Sequence, residues 1–583
     1  MSQSSHLNKS LDDEMHKVLE DLTSNVKQIQ DDLLEEILTH NANTEYLKRF
    51  LHGRSGKELF KKNVPIVTYV DVEPYIERVA NGEPSDIISA QPITKFAFRY
   101  VFCSGTSGGK MKLLPFNVKY LENVEFISNV RSFVISRHID GADQGKAIRF
   151  AFIKMESTTP SGLPAAPAST IVLKTAYFRN LASKSYTSPN EIILCRDNKQ
   201  SMYCHLLCGL VRREEVVSVS AAFASALVRA ISFLEEYWKE LCGNIRMGHV
   251  SEWIEDTSCR NCVSEILGGP NPELANLIEK ECNQISWGGI ICRLWPKTKF
   301  VECVITGQMT HYIPTLEFYS NKLPIVSMKY FSSETSIGIN LNPLCKPQDV
   351  SYTFMPKMAY FEFLLVDEAN EVKIVDLVDV NLGCYYEPLV TSYTGLYRYR
   401  LGDVLQVSGF YNNAPQFRFV RRNDVALSVD IETTTEEELL KAVANARMVL
   451  DSSDLMLTNF TWYADISTIP GHYVGYWELK AKNKNTILDL DKKLMAECCY
   501  VLEETFGSIY RAYRSKNGLI GALEIRVVLP GTFDSLMNFF ISEGASLVQY
   551  KTPICMRSSN ALAILEDKVF ARFFSDKPPP FDF

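Results

Sequence analysis

No stretch of this sequence approaches the roughly eighteen consecutive apolar residues of a membrane-spanning helix. The opening MSQSSHLNKSLDDEMHKVLEDL has neither the apolar core of a secretory leader nor the Arg-rich, acid-poor character of a transit peptide. A cytoplasmic protein without a membrane partner is expected. Clusters of Lys and Arg are missing too, and a formal net charge of −8 gives no attraction to nucleic acid. The 15 cysteines show no framework spacing, which suits reduced and mostly buried thiols. Cys259 and Cys262 form a lone CxxC with no second pair or His pair at zinc-site spacing, so they are not read as a metal site. Internal repeats are also missing. A chain of 583 residues with 46% hydrophobic content fills more than one core. Small-molecule chemistry in a multidomain protein is the class left standing.

Leu11, Met15, Val18, Leu22, Val26, Ile29, Leu33 and Ile37 recur every three or four residues and predict one long amphipathic opening helix. From about 65 to 430, β-branched runs such as AIRFAFI, EIILC, KFVECVITG and LPIVSMKYF alternate with helical stretches such as SAAFASALVRAISFLEEYWKEL. That alternation reads as a large α/β domain. The Pro-, Ser- and Ala-rich ESTTPSGLPAAPAS, residues 156–169, reads as a loop without regular elements. After about residue 430 two alternating strands, GHYVGYWELKAK and GALEIRVVLP, fall among three helical stretches, which describes a smaller α+β domain. The tail SDKPPPFDF reads as loose polyproline. The expected division is a large N-terminal domain at 1–427, a hinge at 428–433 and a small lid domain at 434–583.

Residues 101–112, VFCSGTSGGKMK, run an apolar strand into small residues and then two lysines. A Walker A loop fails here, because Ser104 stands where the first Gly belongs and Met111 follows Lys110. Gly105-Thr106-Ser107-Gly108-Gly109 satisfies the G-x-S-x-G of a hydrolase nucleophile elbow. An elbow passes from strand directly into helix, whereas KMKLLPFN intervenes here and Pro115 delays the next helix, so a strand-loop-strand hairpin fits better. The third reading is the phosphate-gripping hairpin of adenylate-forming enzymes. In it the amides and hydroxyls of Ser104, Thr106 and Ser107 fold over the β- and γ-phosphates of ATP, and Lys112 adds positive charge. On this loop alone the elbow and the clasp both stay open.

Adenylate-forming enzymes follow the loop with an aromatic-hydroxyl-glutamate segment, and SMKYFSSET at 327–335 matches it. Ser332 and Ser333 can bond phosphate or carboxylate, and Glu334 can coordinate Mg²⁺ through oxygen. Alone, YFSSE also reads as a strand end followed by a helix N-cap. Tyr399-Arg400-Leu401-Gly402-Asp403 supplies an aspartate able to accept bonds from both ribose hydroxyls. FVRRNDV at 419–425 is a basic segment before the hinge, and QYKTP puts Lys551 late in the small domain. Tyr120, Val124, Ile127, Arg131 and Val134 share one helical stripe, so the Arg131 guanidinium either snorkels to water or meets an anion.

SGTSGG, YFSSE and YRLGDV in this order, with YNNAPQFRFVRR, GTFDSL and QYKTP, resemble the Gretchen Hagen 3 family of plant acyl-acid amido synthetases. The resemblance spans nearly the whole chain and is closest to the benzoate-type branch. It implies adenylation of a small carboxylic acid with ATP and Mg²⁺, transfer of the acyl group to an amino acid, and release of AMP. By this resemblance Val304, Ser327, Met328, Lys329, Tyr330, Phe331, Ser332 and Tyr352 line the nucleotide pocket, with Tyr352 against adenine. Asp403 holds the ribose, Glu334 the metal, and Lys551 neutralises charge at the α-phosphate. Arg131 binds the substrate carboxylate, with Cys103 and Ser128 beside it. A monomer is expected.

Three positions depart from the family pattern. Cys103 stands where a second serine is usual, with a poorer donor. Ser128 replaces the tyrosine of the benzoate-type branch, which predicts a wider or more polar acyl pocket. Glu432-Thr433-Thr434 stands for Asp-Lys-Thr at the hinge and removes a cation. A ligase with a thiol acceptor, or a hormone-binding protein of low turnover, is the alternative.

Overall fold

The computed structural model describes residues 2–101, 110–154, 156–366, 373–422, 425–429, 432–483, 490–545 and 550–580. They form two compact α/β units. One holds residues 2–101, 110–197 and 326–420, and the other holds 198–325 and everything from Arg421 onward.

In the first unit the expected opening helix is two helices, Ser2–Ser24 and Val26–Asn41. The break has a local cause. Asn413 donates its backbone N–H to the Thr23 carbonyl at 2.9 Å, and Asn412 reaches the Thr23 hydroxyl at 2.9 Å, so the regular helical ladder is diverted there. The second helix buries Leu33, Leu34, Ile37 and Leu38 in a core shared with Ile76, Phe96, Leu114 and Tyr397.

Strands Lys95–Val101 and Lys110–Phe116 form the expected antiparallel hairpin, with Lys95 opposite Phe116 and Val101 opposite Lys110. Phe96, Ala97 and Phe98 are buried, as are Leu114, Pro115 and Phe116, so both faces of this pair are covered there. Pro115 lies inside the second strand, which tolerates it because that strand is the sheet edge. The helix Val118–His138 follows, its first turn capped by the Asn117 side chain accepting from the Tyr120 N–H at 3.2 Å.

Residues 156–169 are not the irregular loop their composition predicts. They form strands Ser157–Thr158 and Pro164–Ala166, and then enter the helix Ala168–Leu173. The second strand runs parallel to Lys95–Val101 with Ala165 and Ala166 buried, a position where small side chains suffice to fill the space. EIILC is also corrected: Asn190–Ile193 is a short helix that Pro189 initiates, since a brief apolar run does not by itself distinguish strand from helix. A nine-stranded sheet completes this unit, eight of its strands in the order 374–376, 360–365, 385–391, 403–411, 414–422, 352–354, 336–339, 329–331, with 399–400 paired to 385–391.

The second unit contains a parallel pair, Val216–Phe223 beside Phe300–Val304, and the helix Ala224–Met247. The helix expected from Ser220 therefore begins four residues later, because Ser220–Phe223 completes the strand. CxxC lies in the helix Thr257–Leu267, where Asp256 caps Cys259 and the Cys262 thiol donates to the Cys259 carbonyl at 3.3 Å. Residues beyond 432 build a four-stranded sheet in the order 455–465, 472–481, 524–528, 569–574. Helices Glu436–Leu450, Lys492–Thr505, Thr532–Ser542 and Ser559–Glu566 accompany it. The TEEE start of the first of these is a capping box between Thr435 and Glu438. The proline tail is not loose up to residue 580: Ser515 and Arg511 donate to the carbonyls of Pro579 and Pro580. Among the described residues no helix is long and apolar enough to cross a membrane.

Candidate functional site

The SMKYFSSET motif folds as a hairpin, strands Lys329–Phe331 and Ser336–Ile339, and not as a strand leading into a capped helix. Its turn is closed by the Ser332 N–H donating to the Thr335 carbonyl at 3.0 Å. The Ser332 hydroxyl accepts from the Glu334 and Thr335 N–H groups at 3.3 Å each. A serine placed here satisfies two turn amides, which fixes the next side chain. Glu334 is 5% exposed, and the Ser333 hydroxyl donates to its Oε2 at 3.1 Å. Tyr120, from the helix Val118–His138, donates its phenol to the Ser332 carbonyl at 3.1 Å. Burial and then the nearby Glu334 charge push that phenol's pKa well up, so it stays a donor.

The strand side of the same motif reaches Asp403. The Tyr330 hydroxyl donates to Asp403 Oδ2 at 2.7 Å, and Asp403 is buried at the start of the strand Asp403–Tyr411. Gly402 precedes it with φ +79, a conformation that L side chains rarely adopt. The rings of Tyr330 and Tyr352 lie 5.6 Å apart at 31°, with Phe354 next at 6.1 Å from Tyr330. Tyr352 is enclosed, its hydroxyl 2.8 Å from that of Ser327, and Ser327 and Met328 are buried with it. Lys329 and Tyr330 are half-buried, and Phe331 is 56% exposed. Gly338 allows the strands to approach: a Cβ there would stand 2.7 Å from the Thr353 carbonyl oxygen and 3.4 Å from Tyr352 Cβ.

The acyl candidates join this arrangement through one bond. Lys329 Nζ donates to Ser128 Oγ at 3.1 Å, which links the nucleotide motif to the helix carrying Arg131. On the expected stripe Tyr120, Ile127 and Val134 are buried, and Val124 and Arg131 are half-buried. Tyr177, which no sequence signal marked, donates to Asn129 at 2.8 Å. Burial raises its phenol to about 12 against the opposing pull of the Arg131 charge. Glu334, Tyr330, Asp403, Ser128 and Arg131 therefore belong to one unit.

Val304 and Lys551 belong to the other. Val304 ends its strand opposite Phe223, and Lys551 is exposed with its ammonium 4.5 Å from the Phe223 ring centroid. At the expected hinge, Glu432 is buried and accepts from the hydroxyls of Thr434 at 2.8 Å and of Tyr473. Burial raises its pKa. Thr433 is exposed. The loop residues Cys103, Ser104, Thr106 and Ser107 lie outside the described residues.

Family models match along most of the chain. Residues 15–325 match the GH3 family N-terminal domain, 352–422 its central domain and 437–560 its C-terminal domain. The chain belongs to the GH3 family. It is 57% identical over 572 residues to the Arabidopsis thaliana 4-substituted benzoates-glutamate ligase GH3.12, covering 97% of this chain and 99% of that protein. It is 51% identical to the Arabidopsis thaliana indole-3-acetic acid-amido synthetase GH3.17, with 97% of each covered. The solved structure of the AtGH3.15 acyl acid amido synthetase in complex with 2,4-DB superposes with a TM-score of 0.91 at 50% identity, covering 98% of both chains.

The donor set of this GH3 protein suits a hard divalent cation. Glu334 offers a buried carboxylate whose side-chain hydrogen-bonding partner, among the described residues, is Ser333, and the serine hydroxyls beside it add only oxygen. Mg²⁺ commonly takes one or two carboxylates and completes its shell with phosphate and water.

Proposed function

We propose that this GH3 protein is an AMP-forming acyl-acid amido synthetase, acting on a small aromatic carboxylic acid and an amino acid. The observation that carries the reading is the Lys329–Ser128 bond, because it ties a carboxylate-binding helix to a hairpin equipped with Glu334 and the Tyr330–Asp403 pair. Two substrates that must react need such adjacent subsites.

In the first half-reaction Arg131 orients the acid, and a carboxylate oxygen attacks the α-phosphorus of ATP. The bond to the bridging oxygen breaks and pyrophosphate leaves. Asp403 accepts from the ribose hydroxyls, and Tyr352, beside Tyr330, is assigned to the adenine base by family likeness. Glu334 would hold Mg²⁺, whose chemistry is to neutralise phosphate charge. The clasp of Ser104, Thr106 and Ser107, with Cys103 beside the acyl group, and the Lys551 ammonium are assigned here by family likeness. Val304 is assigned to the nucleotide pocket on the same basis. In the second half-reaction the amino acid nitrogen attacks the acyl carbonyl, the acyl–phosphate bond breaks, AMP departs and the nitrogen loses a proton. Rotation of 434–583 about 428–433, relative to 1–427, separates the two steps and keeps water from the adenylate.

A 4-substituted benzoate with glutamate leads as the substrate pair, from the 57% identical relative; indole-acetate, salicylate and jasmonate complete the panel. Ser128 presents a hydroxyl where a tyrosine is usual, and Lys329 bonds to it, which favours a polar ring substituent. The working form is a cytoplasmic monomer. Exchange of labelled pyrophosphate into ATP, dependent on added acid, tests the first half-reaction. Binding of acid and nucleotide without exchange would overturn the enzyme reading in favour of a low-turnover hormone-binding protein. Offering the preformed adenylate to glutamate or to a thiol tests the second, and consumption by the thiol alone would overturn the amide.

A further inference from the structure

We infer that Arg398 is a positioning residue for the ribose subsite, fixing the stretch of chain that delivers Asp403; this deepens the amido synthetase reading above and rests on its nucleotide subsite. All the groups involved lie in the first unit. The observation that singles Arg398 out is its backbone. Its φ is +50, a left-handed conformation that a residue with a Cβ rarely adopts and that persists only where the surroundings over-determine it. Arg398 stands where the chain re-enters the sheet. Strand 385–391 pairs with Tyr399–Arg400, Val390 opposite Tyr399 and Leu389 opposite Arg400, so Arg398 falls opposite Thr391. There its N–H donates to the Thr391 hydroxyl at 2.9 Å instead of to a carbonyl, and its own carbonyl accepts from the Val67 N–H at 3.2 Å.

The side chain holds that conformation in place. Arg398 is buried, and its Nε and Nη2 donate to the two carboxylate oxygens of the buried Glu362 at 2.9 and 3.0 Å, a fork meeting a fork. Nη1 donates to the carbonyls of Lys61 at 2.8 Å and Val64 at 2.9 Å, at the end of the helix Lys57–Asn63. Pro65 has no N–H to offer the Lys61 carbonyl, so a helix end that the sequence leaves unsatisfied takes its donor from Arg398. From this anchor to Asp403 the chain has little slack. The Arg400 N–H donates to the Val67 carbonyl at 2.9 Å, its guanidinium pairs with Glu387, the Leu401 N–H donates to the Pro388 carbonyl at 3.2 Å, and Gly402 turns the strand at φ +79. Asp403 follows, buried and bonded to the Tyr330 hydroxyl. A carboxylate that accepts from both ribose hydroxyls has to be held within about 0.5 Å of one place, and this run of bonds sets that place.

The test removes the pair together in the full chain, Arg398→Met with Glu362→Gln, so that no buried charge is left alone. It reads nucleotide preference in two ways: Kd for AMP against 2′-deoxy-AMP by calorimetry, and kcat/KM for ATP against 2′-deoxy-ATP in acid-dependent pyrophosphate exchange. A smaller folded fraction leaves each ratio as it was, so a merely structural role would not move them. The unaltered protein should prefer the ribonucleotide by about 10-fold or more, from the charge-assisted bond to Asp403. The paired variant should lose about 3- to 10-fold of that preference, keep its KM for the acid, and lose nothing further when combined with Asp403→Ala. A preference equal to that of the unaltered protein, or a further loss in the Asp403→Ala background, would overturn the inference. If the paired variant does not fold, Thr391→Val removes the acceptor of the Arg398 N–H and makes the same comparison, with the same two results against it. Absence of exchange in the unaltered protein would sink the adenylation reading alone, since the AMP comparison still reads the ribose contact. An unaltered protein that binds AMP and 2′-deoxy-AMP equally would sink the inference.

Discussion

Asp403 and Arg131 carry the two charges that the proposed function gives to ribose and to the acid. Asp403→Ala removes the proposed ribose acceptor, and a charge-assisted bond contributes about 1.5–3 kcal/mol, so kcat/KM for ATP should fall about 10- to 150-fold. Steady-state exchange kinetics at varied ATP check this. Tyr330→Phe should cost less, because it removes only the bond that orients Asp403. Arg131→Met should raise the KM for the acid about 10- to 100-fold and leave the KM for ATP nearly unchanged, which distinguishes a carboxylate anchor from a stem packed on the helix. Both charges were legible in the sequence, one from YRLGD and one from an apolar stripe. Their partners were not. Tyr330 meets Asp403 across 73 residues and Lys329 meets Ser128 across 201, and no local pattern encodes contacts of that separation. Tyr177 carried no signal for the same reason.

Hairpins and caps were the elements most legible in the sequence. Pro115, which delays the next helix, pointed to the first hairpin, and the acidic start of TEEELLKAVANARMVL pointed to the helix Glu436–Leu450, since both depend on neighbours a few residues away. Pro164–Ala166 was illegible because alanine in a proline-rich stretch has no strand signature, and only the adjoining strand makes it one. Gly338 illustrates a constraint that sequence hides as well. Gly338→Ala would put a methyl 2.7 Å from the Thr353 carbonyl oxygen and should destabilise the protein by about 1–3 kcal/mol, read as a lower thermal midpoint. In the sheet beyond residue 455, burial alone would raise the Glu524 pKa. Hydrogen bonds from His472 and Arg526, with the charges of Arg526 and Arg572, overcome it and hold the carboxyl at about 2 against an ordinary 4.5. A depressed acid stabilises the fold above its unfolded pKa, so this contribution is complete above about pH 4.5 and is lost as pH falls toward 2. Glu524→Gln should lower stability at pH 7 by about 2–3 kcal/mol and flatten the acid limb of the unfolding profile, measured by urea titration across pH.

At the scale of the whole molecule, the order of motifs carried more information than any motif alone. The glycine-serine loop, YFSSE, YRLGD and QYKTP occur in one order over hundreds of residues, and the family models match the stretches that hold the loop, YRLGD and QYKTP, with YFSSE between the first two. The two compact units, by contrast, were not legible, since residues 198–325 group with the C-terminal elements by packing that sequence order conceals. The products report whether the proposed two half-reactions occur. The most direct measurement is mass spectrometry of the protein incubated with ATP, Mg²⁺, a 4-substituted benzoate and glutamate. The account predicts the benzoyl-glutamate amide and AMP in one-to-one amounts; amide accompanied by ADP, or AMP with no amide from any acid in the panel, would contradict it.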